Sequence, residues 1–264
     1  MANNVRLHAV IIMKVLLTVS YDGTAYAGWQ RQENAIAVQQ RLEDALSTLL
    51  KRRIIVAGAS RTDAGVHALG QRASFDARGL RVPLDKLPNV LNALLPPDIA
   101  VIHALEVPEN FNPRFDAIQK TYAYSIYTRT NPLLARYNAF VPRPLNIKNM
   151  QEAAGHFVGV HDFAAFCATG SSAKTTTREV FMCQVENGQN DTVVITISGN
   201  AFLYNMLRII AGTLVYVGIG KIAPTDIPQI IKSCNRKLAG KTMPPQGLLL
   251  KNIVYFLDKN QTLR

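Results

Sequence analysis

A chain of 264 residues, 48% hydrophobic and 18% charged, is long enough for one large domain or two modest ones and too apolar to stay disordered. Its 29 Lys and Arg against 18 Asp and Glu give a formal charge of +11, which points first to a nucleic acid and second to an anionic membrane as partner. Cys167, Cys183 and Cys234 are odd in number and far apart, and the five histidines lack ligand spacing, which argues against a disulfide framework and a zinc site and fits a reducing cytoplasm.

Residues 1–13 read as an N-terminal extension, with Met13 a second candidate start. The run from Ile11 to Leu17 is too short and has no cleavage site to serve as a signal peptide. Lys14 to Tyr21 alternates as a strand, and Asp22-Gly23 closes it with a turn. Tyr26 to Gln32 is loop-like and carries Trp29 and Arg31. From Ala37 to Leu50, Val38, Leu42, Ala45, Leu46 and Leu49 recur at helical spacing. Lys51-Arg52-Arg53 ends that helix, where cations suit the helix dipole and equally suit a phosphate contact. Ile54 to Ala57 reads as a short strand, Gly58 to Ala68 as a turn and Arg72 to Phe75 as a strand. Pro88 to Leu95 reads as a helix stopped by Pro96-Pro97, and Ile99 to Val107 as a strand. This β-α-β-β-α-β order, with alternating strands, favours an antiparallel sheet covered by helices on one face.

The pattern breaks at Pro108 to Pro113, which divides the chain into lobes 14–112 and 113–264. Thr121 to Thr128 alternates as a strand with Tyr122, Tyr124 and Ile126 on one face. A helix near Ile147 to Val158, a loop from His161 to Thr177 and a hairpin from Val180 to Ser198 follow. An apolar helix at Ala201 to Val217, a helix at Thr225 to Cys234 and a strand at Leu248 to Leu257 complete an α+β chain. Ala201 to Gly220 is long enough to span a bilayer, but Arg208 at its centre would cost about 2.5–3.5 kcal/mol there. It reads as the buried helix of a soluble protein with no membrane partner.

Four features carry candidate chemistry. In the glycine-bounded turn Gly58 to Ala68, Asp63 sits with Arg61 and Thr62. That stretch reads either as an Asx turn with a solvated arginine or as a loop presenting a carboxylate to a substrate. Tyr122, on a strand beside Lys120 and near Arg114, suits base stacking and equally suits a packed core. Arg208 is too costly to bury unpaired, which requires an anionic partner or a cleft, and Asp63 is a candidate. Arg31, Arg52, Arg53, Arg72, Lys174 and Arg178 are basic positions in loops; each alone is a solvated charge, and only their joint excess argues for contact with an RNA backbone.

The stretch Arg61-Thr62-Asp63-Ala64-Gly65-Val66-His67-Ala68 resembles the active-site motif of the tRNA pseudouridine synthase A family. Tyr21-Asp22-Gly23-Thr24, Gly28-Trp29-Gln30-Arg31-Gln32, Lys120-Thr121-Tyr122-x-Tyr124, Asn200-Ala201-Phe202 with Met206-x-Arg208, and Gly247-Leu248-x-Leu250 match its other blocks in order. The resemblance spans roughly residues 14 to 255. It implies two similar ferredoxin-like α+β lobes, with mainly antiparallel sheets flanking a central catalytic cleft. It implies an isomerase that turns uridines of the tRNA anticodon stem-loop, at positions 38, 39 and 40, into pseudouridine without cofactor or metal. It further implies a cytoplasmic homodimer, with Asp63 as nucleophile, Tyr122 stacking on a flipped-out base and Arg61 and Arg208 lining the site. Two rivals are a non-catalytic RNA-binding module, which leaves the Arg-Thr-Asp loop unexplained, and a carboxylate-dependent nucleoside hydrolase, which normally needs a second acid.

Overall fold

Alternating apolar residues make β1 (Lys14–Tyr21) a strand buried on both faces, and it becomes the centre of an antiparallel trio. Its neighbours are β3 (His67–Asp76) and β4 (Ile99–Glu106). The computed structural model describes residues 13–258 and 261–263; the expected N-terminal extension, Met13 excepted, lies outside them. Between these strands come α1 (Val38–Leu50), the two-residue β2 (Ala57–Gly58) and α2 (Leu87–Asn92). Helix α1 buries Val38, Leu42, Ala45 and Leu46, and Lys51 ends it in the left-handed region at φ 54°. The expected strand at Ile54 to Ala57 shrinks to β2. Ile54 and Val56 are buried and Ile55 is exposed, so the alternation reflects burial, while pairing with β3 starts only at Ala57.

The second half repeats the theme with β5 (Ala117–Tyr127), β6 (Ala139–Phe140), α3 (Ile147–Gly155), β7 (Gly159–Asp162), β8 (Thr177–Asn187) and β9 (Thr192–Gly199). Then come α4 (Met206–Gly218), α5 (Ile227–Ser233), β10 (Leu248–Asp258) and β11 (Gln261–Leu263). The expected loop from His161 to Thr177 thus begins inside a strand, because β7 pairs with β8 from Gly159 to Asp162. Helix α4 starts at Met206 instead of Ala201. Asn205 takes φ 59°, a left-handed backbone that a right-handed helix cannot pass through. Among the described residues no helix is long and apolar enough to cross a membrane.

All main strands join one sheet in the order β4-β1-β3-β10-β5-β9-β8-β7. Its neighbours are antiparallel except β3 and β10, which run parallel. Strand β10, latest in the chain of the main strands, is therefore the seam between the early strands and the later ones. Register across the seam places the site: Leu250 lies opposite Ala68 on one side and Tyr122 on the other, and Tyr122 faces Ile197. The turn that leads into β3 is thereby set beside the middle of β5. Helix α2 packs on β4, α3 on β8, and α4 on both α3 and β5. Nearly every residue of α4 except Arg208 and Tyr216 is buried, which is how so apolar a helix is satisfied in water.

Candidate active site

The turn from Ala59 to Val66 belongs to no helix or strand, so its backbone groups are met by neighbours from β3, β5 and the loop at Trp29. Lys120 Nζ of β5 donates to Ala59 O at 2.8 Å, and Gln71 Nε2 of β3 donates to Ser60 O at 2.7 Å. Trp29 N donates to Thr62 O at 3.1 Å, and Val66 N closes the turn on Asp63 O at 3.1 Å. Two hydroxyl contacts add to this: Tyr21 Oη with Thr62 Oγ1 at 2.7 Å, and Tyr122 Oη with Ser60 Oγ at 2.8 Å. The fit depends on Gly28, at φ +87°, where an added Cβ would stand 2.4 Å from Thr62 O.

Asp63 is held at the open side of this cage. Its Oδ2 lies 3.1 Å from Arg208 Nη1, with the two side chains 30% and 16% exposed. The guanidinium is itself fixed: Nε donates to Met243 O at 2.7 Å and Nη1 to Asn205 Oδ1 at 2.7 Å. Arg208 therefore has its anionic partner 145 residues away, in the turn singled out from the sequence. The pair joins the N-terminal turn of α4 to the turn before β3.

Tyr122 is 5% exposed, and its ring and that of Phe202 stand edge-to-face, with centroids 5.5 Å apart and planes at 90°. Burial pushes its phenol up to about 12; the Ser60 hydrogen bond opposes that shift and the nearby Asp63 charge adds to it. Lys120, two residues earlier on the same face of β5, is 8% exposed. Burial, with help from Arg114, pushes its ammonium down to about 8. Burial also raises the Tyr21 phenol despite its bond to Thr62.

A second polar cluster lies directly behind the turn. Asp22, at the end of β1, accepts from Arg136 Nε at 2.7 Å, Tyr137 Oη at 3.1 Å, and Thr24 N and Oγ1 at 3.0 and 2.6 Å. Partial burial pushes its carboxyl up, but these donors outweigh that and hold it well below the usual carboxylate range. His67, the first residue of β3, accepts from Gly23 N at Nδ1 (3.0 Å) and meets the Tyr137 ring edge-on at 5.0 Å. Burial pushes this imidazole down. A neutral ring whose Nδ1 lone pair is taken by Gly23 has Asp22 Oδ1, 3.1 Å away, as a neighbour and not as an ion-pair partner.

The basic positions expected in loops separate into groups. Arg72 is a correction of place: it lies in β3 and not in a loop, is 4% exposed and donates to Thr18 Oγ1 at 2.5 Å. Arg178 is likewise on a strand, β8, half-buried and donating to Thr177 O at 2.5 Å. Arg31 is engaged by Glu43 at 2.9 Å, and Arg52 by Asp76 Oδ1 at 3.1 Å. Arg61, Arg53 and Lys174 are exposed. Among the described residues no group of three His, Cys, Asp or Glu side chains is placed to hold a metal.

Sequence reasoning missed Ser60, Gln71, Tyr21 and Asn205 as members of the site, and named Lys120 only as a neighbour of Tyr122. The alternation that aligned Tyr122 with Tyr124 also places Lys120 on that face, so this one was within reach of the sequence.

A family model described as tRNA pseudouridine synthase matches residues 17–116 and 153–255. The chain is 46% identical over 243 residues to a tRNA pseudouridine synthase A of Caldicellulosiruptor bescii, covering 91% of this chain and 99% of that one. It is 47% identical over 244 residues to that of Ruminiclostridium cellulolyticum, covering 92% and 99%. With that of Geotalea daltonii it shares 48% identity over 244 residues, covering 91% and 99%. Among solved structures, a chain of a Cbf5-Nop10-Gar1 complex is similar at a TM-score of 0.40 and 12% identity over 89% of this chain, which spans 48% of that one.

Proposed function

Since the chain belongs to the tRNA pseudouridine synthase family, isomerases that convert uridine to pseudouridine, we propose that it acts on uridines 38, 39 and 40 of the tRNA anticodon stem-loop, with Asp63 as nucleophile. The observation that carries this reading is the ion pair of Asp63 with Arg208, in which one partly open carboxylate is aimed by a guanidinium that Met243 O and Asn205 Oδ1 hold in place. The reaction breaks the N1–C1′ bond and makes a C5–C1′ bond with no net redox change. An ionised carboxylate is needed to attack the nucleoside at C1′ or C6. A base entering the cleft would strip water from Asp63, and the ion pair with Arg208 at 3.1 Å keeps a partner on the carboxylate there.

Asp63 lies in a turn with its side chain only 30% exposed, so the target base leaves its stack to reach it, at a cost of a few kcal/mol. Tyr122 is the aromatic surface for that base once Phe202 swings aside, and exposed Arg61 lines the entrance. The enzyme works in the cytoplasm as a homodimer, each protomer having the lobes 14–112 and 113–264.

The test is to incubate wild type and Asp63→Asn with unmodified tRNA and count pseudouridines by position. Wild type forms them at 38, 39 and 40. The variant melts like wild type and binds tRNA, but loses turnover by several orders of magnitude, as removal of a nucleophile does. Turnover by the variant above roughly 1% of wild type rules out the nucleophile role, because losses on removing a nucleophile far exceed 100-fold.

A further inference from the structure

The reaction must also remove a proton. When uracil is rejoined to the sugar through C5, that carbon still bears its original hydrogen, and N1 bears none. A base is required near C5, and Tyr122 carries a hydroxyl close enough to Asp63 to feel its charge. Its phenol is fully protonated at neutral pH, since burial lifts it to about 12. A protonated phenol accepts a proton only while giving up its own. Its one hydrogen-bond partner among the described residues is Ser60 Oγ, at 2.8 Å.

We propose that Ser60 is a positioning residue for this deprotonation, taking the phenolic proton of Tyr122 as Tyr122 Oη accepts the hydrogen that leaves C5. The proposal rests on the reading of the Asp63 cleft given above. In this step the C5–H bond breaks and its electron pair forms the C5–C6 double bond. The former C6–N1 π pair moves to N1, which takes a proton from water. The Tyr122 proton passes to Ser60 Oγ, and the Ser60 proton passes to water. One proton leaves C5, one arrives at N1, and both side chains end as hydroxyls.

Three features suit Ser60 to this. Its carbonyl is clamped by Gln71, so the hydroxyl sits on a fixed backbone. Tyr122 is held in register by β10 on one side and β9 on the other. Ser60 is half-buried, whereas Tyr122 is 5% exposed, so of the two residues Ser60 is the nearer to solvent.

The experiment compares wild type, Ser60→Ala and Ser60→Thr on tRNA carrying uridine or 5-deuterouridine. Ser60→Ala is expected to keep the melting temperature and tRNA affinity of wild type. Its turnover falls roughly 100-fold, the low end of what positioned proton transfer contributes. Its isotope effect grows, because deprotonation has become limiting, and Ser60→Thr recovers both rate and isotope effect. Wild-type turnover in Ser60→Ala overturns the proposal. So does a slowed Ser60→Ala with an unchanged isotope effect, which marks a structural role, or a Ser60→Thr no better than Ser60→Ala. Failure of the parent reading looks different: wild type itself makes no pseudouridine, or Asp63→Asn still does.

Discussion

At the scale of single residues, Arg208 shows how a cost visible in sequence becomes a site. An arginine in a helix otherwise apolar had to find an anion, and it found Asp63 while its other donors took Met243 O and Asn205 Oδ1. Because the planar fork serves three acceptors, a lysine cannot replace it. Both Arg208→Ala and Arg208→Lys are expected to lower kcat roughly 100-fold, the cost of removing one pre-aimed electrostatic group. Their tRNA dissociation constants stay within a few-fold of wild type; a loss confined to affinity would move Arg208 to the RNA-binding surface. Lys120 gives a pH prediction. Its pKa is about 8 folded against 10.5 in the open chain, so between those values the unfolded state binds more protons. Wild-type stability therefore gains from Lys120 as pH rises from 8 toward 10.5, and below pH 8 the full burial cost of ~3 kcal/mol at most is present. Lys120→Met lacks this gain. Denaturant unfolding at pH 7, 8, 9 and 10 should show the stability of Lys120→Met relative to wild type falling across the upper half of that range. The partners of Lys120 and Ser60 lie 61 and 62 residues away across strands that only the folded sheet brings together. No local pattern encodes such a pairing, which is why the turn was legible as a turn and its cage was not.

At the scale of elements, the strands and helices of both halves follow their apolar periodicities, and the departures have local causes. The left-handed Asn205 starts α4 late, and side chains of α1 take the amides of Ile54 and Val56, so pairing with β3 waits until Ala57. Arg72 and Arg178 fell outside the expected loops because a charged residue inside a strand looks the same in sequence as one at its edge. The Asp22 cluster was invisible for the same reason as the cage: Arg136 and Tyr137 reach it from 114 and 115 residues downstream. That cluster fastens the segment before β6 to the end of β1 and the start of β3. Asp22→Ala is expected to destabilise the protein by about 1–3 kcal/mol at pH 7, as loss of hydrogen bonds to a charged group does. The Asp22 carboxyl is depressed below its open-chain value of 3.8, so its contribution is complete above that pH and fades as pH falls below it. Unfolding curves should show wild type and Asp22→Ala converging in acid; a gap that stays constant below pH 3.8 would show that its charge contributes nothing.

At the scale of the whole molecule, a formal charge of +11 favours tRNA over the rival of a small nucleoside. Family membership supplies the catalysis that a bare RNA-binding module lacks. The cations are not equally free, however. Arg52 is committed to Asp76, whereas Lys174 is exposed in the loop before β8. We expect Lys174→Ala to reduce the slope of log affinity for tRNA against log salt by about 1, the signature of one lost phosphate contact. Arg52→Ala should change it less, and equal slopes for both variants would remove Lys174 from the binding surface. Strand β10 has a consequence of a different kind. It lies between β3 and β5, yet it is made after every main strand it unites. During synthesis the early trio and the later strands each wait with an open edge, the condition that invites wrong pairings. The row Ala68, Leu250, Tyr122 is assembled only when β10 arrives. A chain that stops short of β10 has the turn and the tyrosine but no strand to set them side by side.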